Sequence, residues 1–229
     1  MDFKRTILVL IIIVVAAVYI VDISGFFANH GVPETNTSRV LAAVEVRNYQ
    51  GEKLSSIMDF RENSIKGPQH VNISNYRLEI TGLVTTPRSL TYEEVTGLPG
   101  YQKVITLHCV EGWDATVLWE GIKVNDLIRN AGASPDANTV IFYAYDGYST
   151  SLPLDYIEKN DILLAYGMNN VTLPEDRGYP FQLVAEDKWG YKWIKWVTKI
   201  EISKDPSYRG YWEQRGYSIG GDTSRSFFS

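Results

Sequence analysis

The sequence predicts a mixed α+β domain, built from strands and short helices, behind an N-terminal apolar helix. Three observations carry that reading. Apolar runs of strand length recur from residue 76 onward, with only brief helical stretches between them. The two kinds of element do not alternate as βαβ units, which argues against a doubly wound parallel sheet. Finally, Lys4 and Arg5 precede an unbroken apolar run from Ile7 to Val21, long enough for a signal or a short membrane span extended to Phe27.

The elements follow in chain order. Residues 1–27 read as a membrane anchor or uncleaved signal, since no small-x-small cleavage pattern follows the apolar run. The basic flank is expected to stay cytoplasmic, which puts the remaining chain on the extracytoplasmic side. Residues 28–45 are polar with Gly and Pro and read as a tether, leaving 46–229 as the domain. "YRLEIT" (76–81) alternates as a half-buried strand does, with Tyr76, Leu78 and Ile80 on one face. Thr91 and Glu94 form a capping-box pattern for a short helix that Gly97 and Pro99 stop. "VITLHC" is the next strand, with Ile105, Leu107 and Cys109 on one face and His108 on the other. Val124, Leu127, Ile128 and Ala131 recur at helical spacing up to Gly132. "TVIFYAY", "ILLAY", "PFQLVA" and "KWVTKIEIS" read as later strands.

Composition narrows the function. With 45% hydrophobic and 21% charged residues, the chain is globular rather than disordered. A net charge of -5 argues against nucleic acid as a partner, because phosphate neutralisation needs a basic surface. The single cysteine cannot form an internal disulfide, and no CxxC or HExxH zinc pattern is present. On spacing alone, Cys109 is a small buried hydrophobe at a strand end. In an exported chain, however, an unpaired thiol is exposed to oxidation unless something occupies it. A soft metal centre is one such occupant, and its other donors would then come from a cofactor.

"LHCVEGW", "WEGIKVNDLI", "DGYSTSLPL", "LLAYGMNN", "RGYP" and "WGYKWIKWVTKIEI" occur in that order. In this the chain resembles the sulfite oxidase family of molybdopterin-dependent oxidoreductases, from about residue 60 to the end. The resemblance implies a sulfite-oxidase-type fold and a molybdopterin cofactor whose dithiolene sulfurs share the metal with Cys109. It further implies Tyr148 as a phenol beside the metal centre, and Lys195, with Lys192 near it, as cations for the pterin phosphate. Arg61 and Asn63 would reach the cofactor from an early Arg-Asn motif, and Arg177 stands where the family places a histidine. Of the six tryptophans, only Trp113 is assigned to the pocket wall.

Departures from the family pattern shape the expected reaction. Sulfite oxidases carry arginines after the cysteine, whereas here "VEGWD" follows and Glu111 stands where a sulfite anion wants positive charge. Gln182 likewise replaces a family arginine. The cysteine motif is closer to the exported methionine-sulfoxide reductase branch. The expectation is therefore two-electron oxygen-atom transfer to reduce an S-oxide or N-oxide, with a small or methionine-sulfoxide-like substrate. Glu111 and Tyr148 are the expected catalytic residues, and electrons would come from a membrane partner. A sulfite-oxidising dehydrogenase is the alternative; a metal-free binding module of the same fold is a third.

Overall fold

The computed structural model describes residues 36–228. The expected anchor, 1–27, and residues 28–35 of the expected tether lie outside the described residues. Among the described residues, no helix is long and apolar enough to cross a membrane.

The rest of the expected tether is folded. Helix α1 (Asn36–Ala42) buries Ser38, whose hydroxyl donates to Asp176 Oδ1 at 2.8 Å. Glu45 is buried too, accepting from Ser56 Oγ at 2.5 Å, Ile57 N at 2.9 Å and Asn169 Nδ2 at 2.8 Å. The compact unit thus begins at Asn36, ahead of the boundary near Val46 that composition suggests. Local polarity misleads because these polar groups find buried partners far along the chain, where each is satisfied.

After a small hairpin of β1 (Asn48–Tyr49) and β2 (Glu52–Lys53), the strands sort into two five-stranded sheets. The first contains β5 (Tyr101–His108), β6 (Asp114–Lys123), β9 (Leu163–Met168), β10 (Val171–Thr172) and β11 (Gln182–Val184). Its order is β10-β9-β6-β5, with β11 also paired to β9, and every pairing is antiparallel. The second contains β3 (Leu78–Gly82), β4 (Arg88–Leu90), β7 (Thr139–Ala144), β8 (Ser149–Pro153) and β12 (Val197–Ser203), in the order β4-β3-β12-β7-β8. Only β12 with β3 is parallel there. Three short helices complete the set: α2 (Tyr92–Thr96), α3 (Val124–Ala131) and α4 (Leu154–Lys159). Mixed pairing with few helices is the α+β class expected from the pattern.

One core joins both sheets, with Ile105, Val117 and Leu164 from the first and Ile80, Phe142 and Ile200 from the second. The local signals work as physics requires. Both capping-box bonds form, Thr91 N to Glu94 Oε2 at 2.7 Å and Glu94 N to Thr91 Oγ1 at 3.1 Å. Gly132 caps α3 at φ 71, a left-handed conformation that suits glycine. The sequence reading passes over β6, although it lies in the middle of its sheet. Its alternation fails because the register against β9 shifts between Glu120 and Gly121. There the two strands come so close that a Cβ on Gly121 would sit 2.3 Å from Leu164 O.

Candidate functional site

Cys109 directly follows the last residue of β5, and the strand's alternation turns it inward with Ile105 and Leu107. A tight turn, "CVEGW", then returns the chain into β6. Cys109 N donates to Trp113 O at 2.9 Å, and Gly112 N donates to Cys109 O at 3.0 Å, with Gly112 at φ 82. His108 leaves on the opposite face, where Nδ1 meets Asp114 Oδ1 at 2.7 Å, in keeping with a structural role.

Two cavities meet at this cysteine. The larger, of about 180 Å³, is walled by aromatic rings, among them Tyr148, Tyr191, Trp212 and Tyr217, with Glu111 and Asp146 also facing it. The smaller, of about 40 Å³, is polar: Arg61, Asp176, Arg177, Gln182 and Lys195 line it, beside Phe60 and Trp113. Asn63, Cys109, Gly190, Trp193 and Lys195 belong to both walls. Asn63 Nδ2 donates to the sulfur at 3.5 Å, which joins the early Arg-Asn motif to the cysteine. Burial pushes the Cys109 thiol up from its ordinary value; the Glu111 backbone N–H, Arg61 and Asn63 partly offset this, while the Glu111 charge adds to it. The protein alone does not activate this thiol; a bound metal cation would.

Lys195 is partly buried and not idle. Its Nζ donates to Glu62 Oε1 at 2.6 Å and to Asp176 O at 3.3 Å, and burial pulls its pKa below the usual lysine value. Gly178 lets Lys195 and Gln182 pack closely: at φ 105, a Cβ there would meet Gln182 Cβ at 3.0 Å and Lys195 Cβ at 3.2 Å. Arg177 reaches the same lobe, with Nε donating to Ile57 O at 3.0 Å and Nη2 to Phe60 O at 2.9 Å. Much of its donor capacity therefore holds the 57–60 segment in place.

One expectation needs correction. Lys192 lines neither cavity: fully buried, it pairs with Glu213 Oε1 at 2.6 Å and donates to Thr150 Oγ1 and Ser151 O at 3.1 and 2.9 Å. The strand and helix periods that would have revealed its direction are absent, because it ends a single 3-10 turn, Gly190–Lys192. Glu111 is exposed at the cavity edge and accepts from Trp113 Nε1 at 3.2 Å, so solvent screens it more than an enclosed carboxylate.

Tyr148 is in the aromatic wall as expected, but its hydroxyl donates to Tyr191 O at 2.5 Å. Burial, with Glu213 next in importance, holds its pKa well above the ordinary tyrosine value. It is a hydrogen-bond donor across the physiological range, not a base. Sequence reasoning missed Glu62, Asp146, Tyr191, Trp193, Trp196, Trp212 and Tyr217. Glu62 lies between two residues already singled out and could have been found; nothing in the local sequence marks Trp212 or Tyr217.

These features suit a molybdopterin. Among the described residues, no three His, Cys, Asp or Glu side chains could together hold a metal ion. A metal at Cys109 must therefore bring its remaining donors with a cofactor. The polar lobe beside the sulfur supplies the cations that an anionic group requires.

The comparisons agree. The family described as "Oxidoreductase molybdopterin binding domain" matches residues 65–212. The uncharacterized oxidoreductase YuiH of Bacillus subtilis is 33% identical over 156 residues, covering 68% of this chain and 78% of that protein. A putative protein-methionine-sulfoxide reductase subunit, YedZ1 of Azospira oryzae, is 34% identical over 151 residues, 66% of this chain but only 57% of the relative. Further relatives include methionine-sulfoxide reductase catalytic subunits and sulfite oxidases. The sulfane dehydrogenase SoxCD from Paracoccus pantotrophus shares the fold at TM-score 0.61 and 20% identity, over 77% of this chain and 54% of that one. The cysteine at the junction of the two lobes and the matched family lead to one conclusion: this chain belongs to the molybdopterin-binding oxidoreductases of the sulfite oxidase family.

Proposed function

We propose that the protein is a membrane-anchored, extracytoplasmic reductase of neutral S-oxides. The observation that carries this reading is the contrast across Cys109, a cation-bearing lobe on one side and an aromatic, carboxylate-edged lobe on the other. When bound, the molybdenum cofactor would supply the two-electron redox chemistry and the site of oxygen-atom transfer. Cys109 would contribute the protein's thiolate, while Lys195, Arg177, Arg61 and Asn63 would hold the pterin side. Lys195 is paired with Glu62, so an anionic group entering this lobe competes with that carboxylate.

In the aromatic lobe, the balanced reaction consumes a sulfoxide, two electrons and two protons and releases a thioether and water. A membrane redox protein would be the electron donor, since the sequence has one cysteine and no CxxCH haem-attachment motif. Tyr148 would orient the substrate oxygen by turning its hydroxyl from Tyr191 O. It would not donate the proton outright, since its raised pKa makes it a weak acid. Protons would then come from water. The negative edge at Glu111 and Asp146 disfavours sulfite, whereas a neutral oxide avoids that repulsion.

The test uses purified, cofactor-loaded protein. Reduced viologen with dimethyl sulfoxide or methionine sulfoxide should give turnover, and sulfite with ferricyanide should give little. Faster sulfite oxidation than reduction of any oxide would replace this reading with the sulfite-oxidising one. Topology is tested separately: protease added to wall-stripped intact cells should digest residues 46–229, and protection until lysis would reverse the orientation.

A further inference from the structure

The chain beyond Trp212, the last residue of the family match, folds back over the aromatic lobe. Tyr217 is part of that lobe's wall. Its ring meets Tyr191 edge-on with centroids 5.0 Å apart and Trp212 at 5.0 Å, and stacks on Phe227 at 5.7 Å. Phe228 packs on Tyr217 at 5.2 Å and Phe227 meets Trp189 at 5.6 Å.

The backbone is fastened as well. Trp189 N donates to Gly221 O at 2.8 Å, Ser218 N to Phe227 O at 2.8 Å, and Trp189 Nε1 to Arg225 O at 3.0 Å. Tyr191 Oη donates to Ser218 O at 2.7 Å, and Lys188 is ion-paired with Asp222. A Cβ on Gly221 would sit 2.7 Å from Lys192 Cγ, so the segment is packed down, not merely near. The buried Lys192–Glu213 pair secures its start. This is an ordered aromatic face attached to the rim of a substrate-sized cavity.

We propose that residues 213–228 are a substrate-selecting strap in which the Tyr217 ring, backed by Phe227, is the surface that the sulfur-bearing chain of a larger sulfoxide packs against. The proposal rests on the S-oxide reading above. Aromatic rings attract polarizable sulfur and apolar chains alike. The only cation in the wall of this lobe, Lys195, is already paired with Glu62, so among the described residues the lobe offers little to an anion. The ring therefore discriminates by the size and apolarity of what flanks the S–O group. Dimethyl sulfoxide is too small to use it fully; methyl phenyl sulfoxide is not.

The experiment measures binding separately from turnover, by titrating each sulfoxide against the tryptophan fluorescence of the loaded protein. In wild type, methyl phenyl sulfoxide should bind more tightly than dimethyl sulfoxide. Tyr217→Ala should cut that preference by about tenfold, the equivalent of one lost ring contact with its buried area. Tyr217→Phe should retain it, and Phe227→Ala should give an intermediate loss. Molybdenum content should be the same in all four proteins. An unchanged preference in Tyr217→Ala, an equal loss in Tyr217→Phe, or no sulfoxide binding by wild type overturns the strap. Binding with the predicted pattern but no reduction would leave the strap standing and sink the reductase reading.

Discussion

The two lobes that meet at Cys109 are built on different physical principles. The polar lobe is a network of fixed charges: Lys195 on Glu62, and Arg177 on two backbone carbonyls. Lys195 and Arg177 there already have partners, so a ligand that recruits them has to exchange for an existing bond. The aromatic lobe is a surface of rings with a carboxylate rim, and a neutral ligand enters it by displacing water. The difference teaches where specificity for the cofactor and for the substrate would reside. Charge exchange suits a permanently held anionic group, and apolar contact suits a molecule that must leave after each turnover.

Substitutions break that comparison at different points, beginning at the shared wall. Cys109→Ser is expected to lower activity by at least about a hundredfold, more than a change in an outer-shell group, with the fold and much of the cofactor retained. Steady-state assay beside molybdenum analysis would check it. Full activity in that variant would remove the cysteine from the site.

The two lysines should separate next. Lys192→Met leaves Glu213 charged in a fully buried site, and Glu213 Oε2 has no hydrogen-bond partner even now. The expected loss is about 3–5 kcal/mol in urea unfolding, because an orphaned buried charge is costly. A paired replacement, Lys192→Met with Glu213→Leu, should recover much of it. Lys195→Ala should act on loading instead, lowering cofactor occupancy about ten- to a hundredfold through the loss of one charge-assisted bond. If Lys192→Met changed occupancy while Lys195→Ala did not, the two roles would be reversed.

Glu111→Gln gives the smallest effect. An enclosed carboxylate would repel sulfite strongly, but Glu111 is exposed and tied to Trp113 Nε1. Sulfite turnover should therefore rise only roughly threefold relative to sulfoxide turnover, as for other screened surface charges. A hundredfold change would mean that the carboxylate turns into the lobe.

Much of this arrangement was legible in the sequence where local chemistry governs. The alternation of Ile105, Leu107 and Cys109 and the Thr91–Glu94 box are written into neighbouring residues, and both appear in the fold. The motif order placed Cys109, Asn63, Tyr148, Arg177 and Lys195 around one site. What escaped depends on contacts across the chain. β6 loses its alternation at a register shift that only its partner β9 explains. Lys192 and Lys195 look alike in "KWIKW", yet one is committed to Glu213 and the other to Glu62. Trp212 and Tyr217 reach the wall through a segment with no periodic pattern to place them.

The central proposal is that, among the described residues, Cys109 is the side chain that would bind molybdenum between these lobes. Molybdenum-edge X-ray absorption on wild type and Cys109→Ser tests it most directly. The account predicts that the variant loses one sulfur neighbour of molybdenum and gains a lighter one. An unchanged sulfur shell would contradict it.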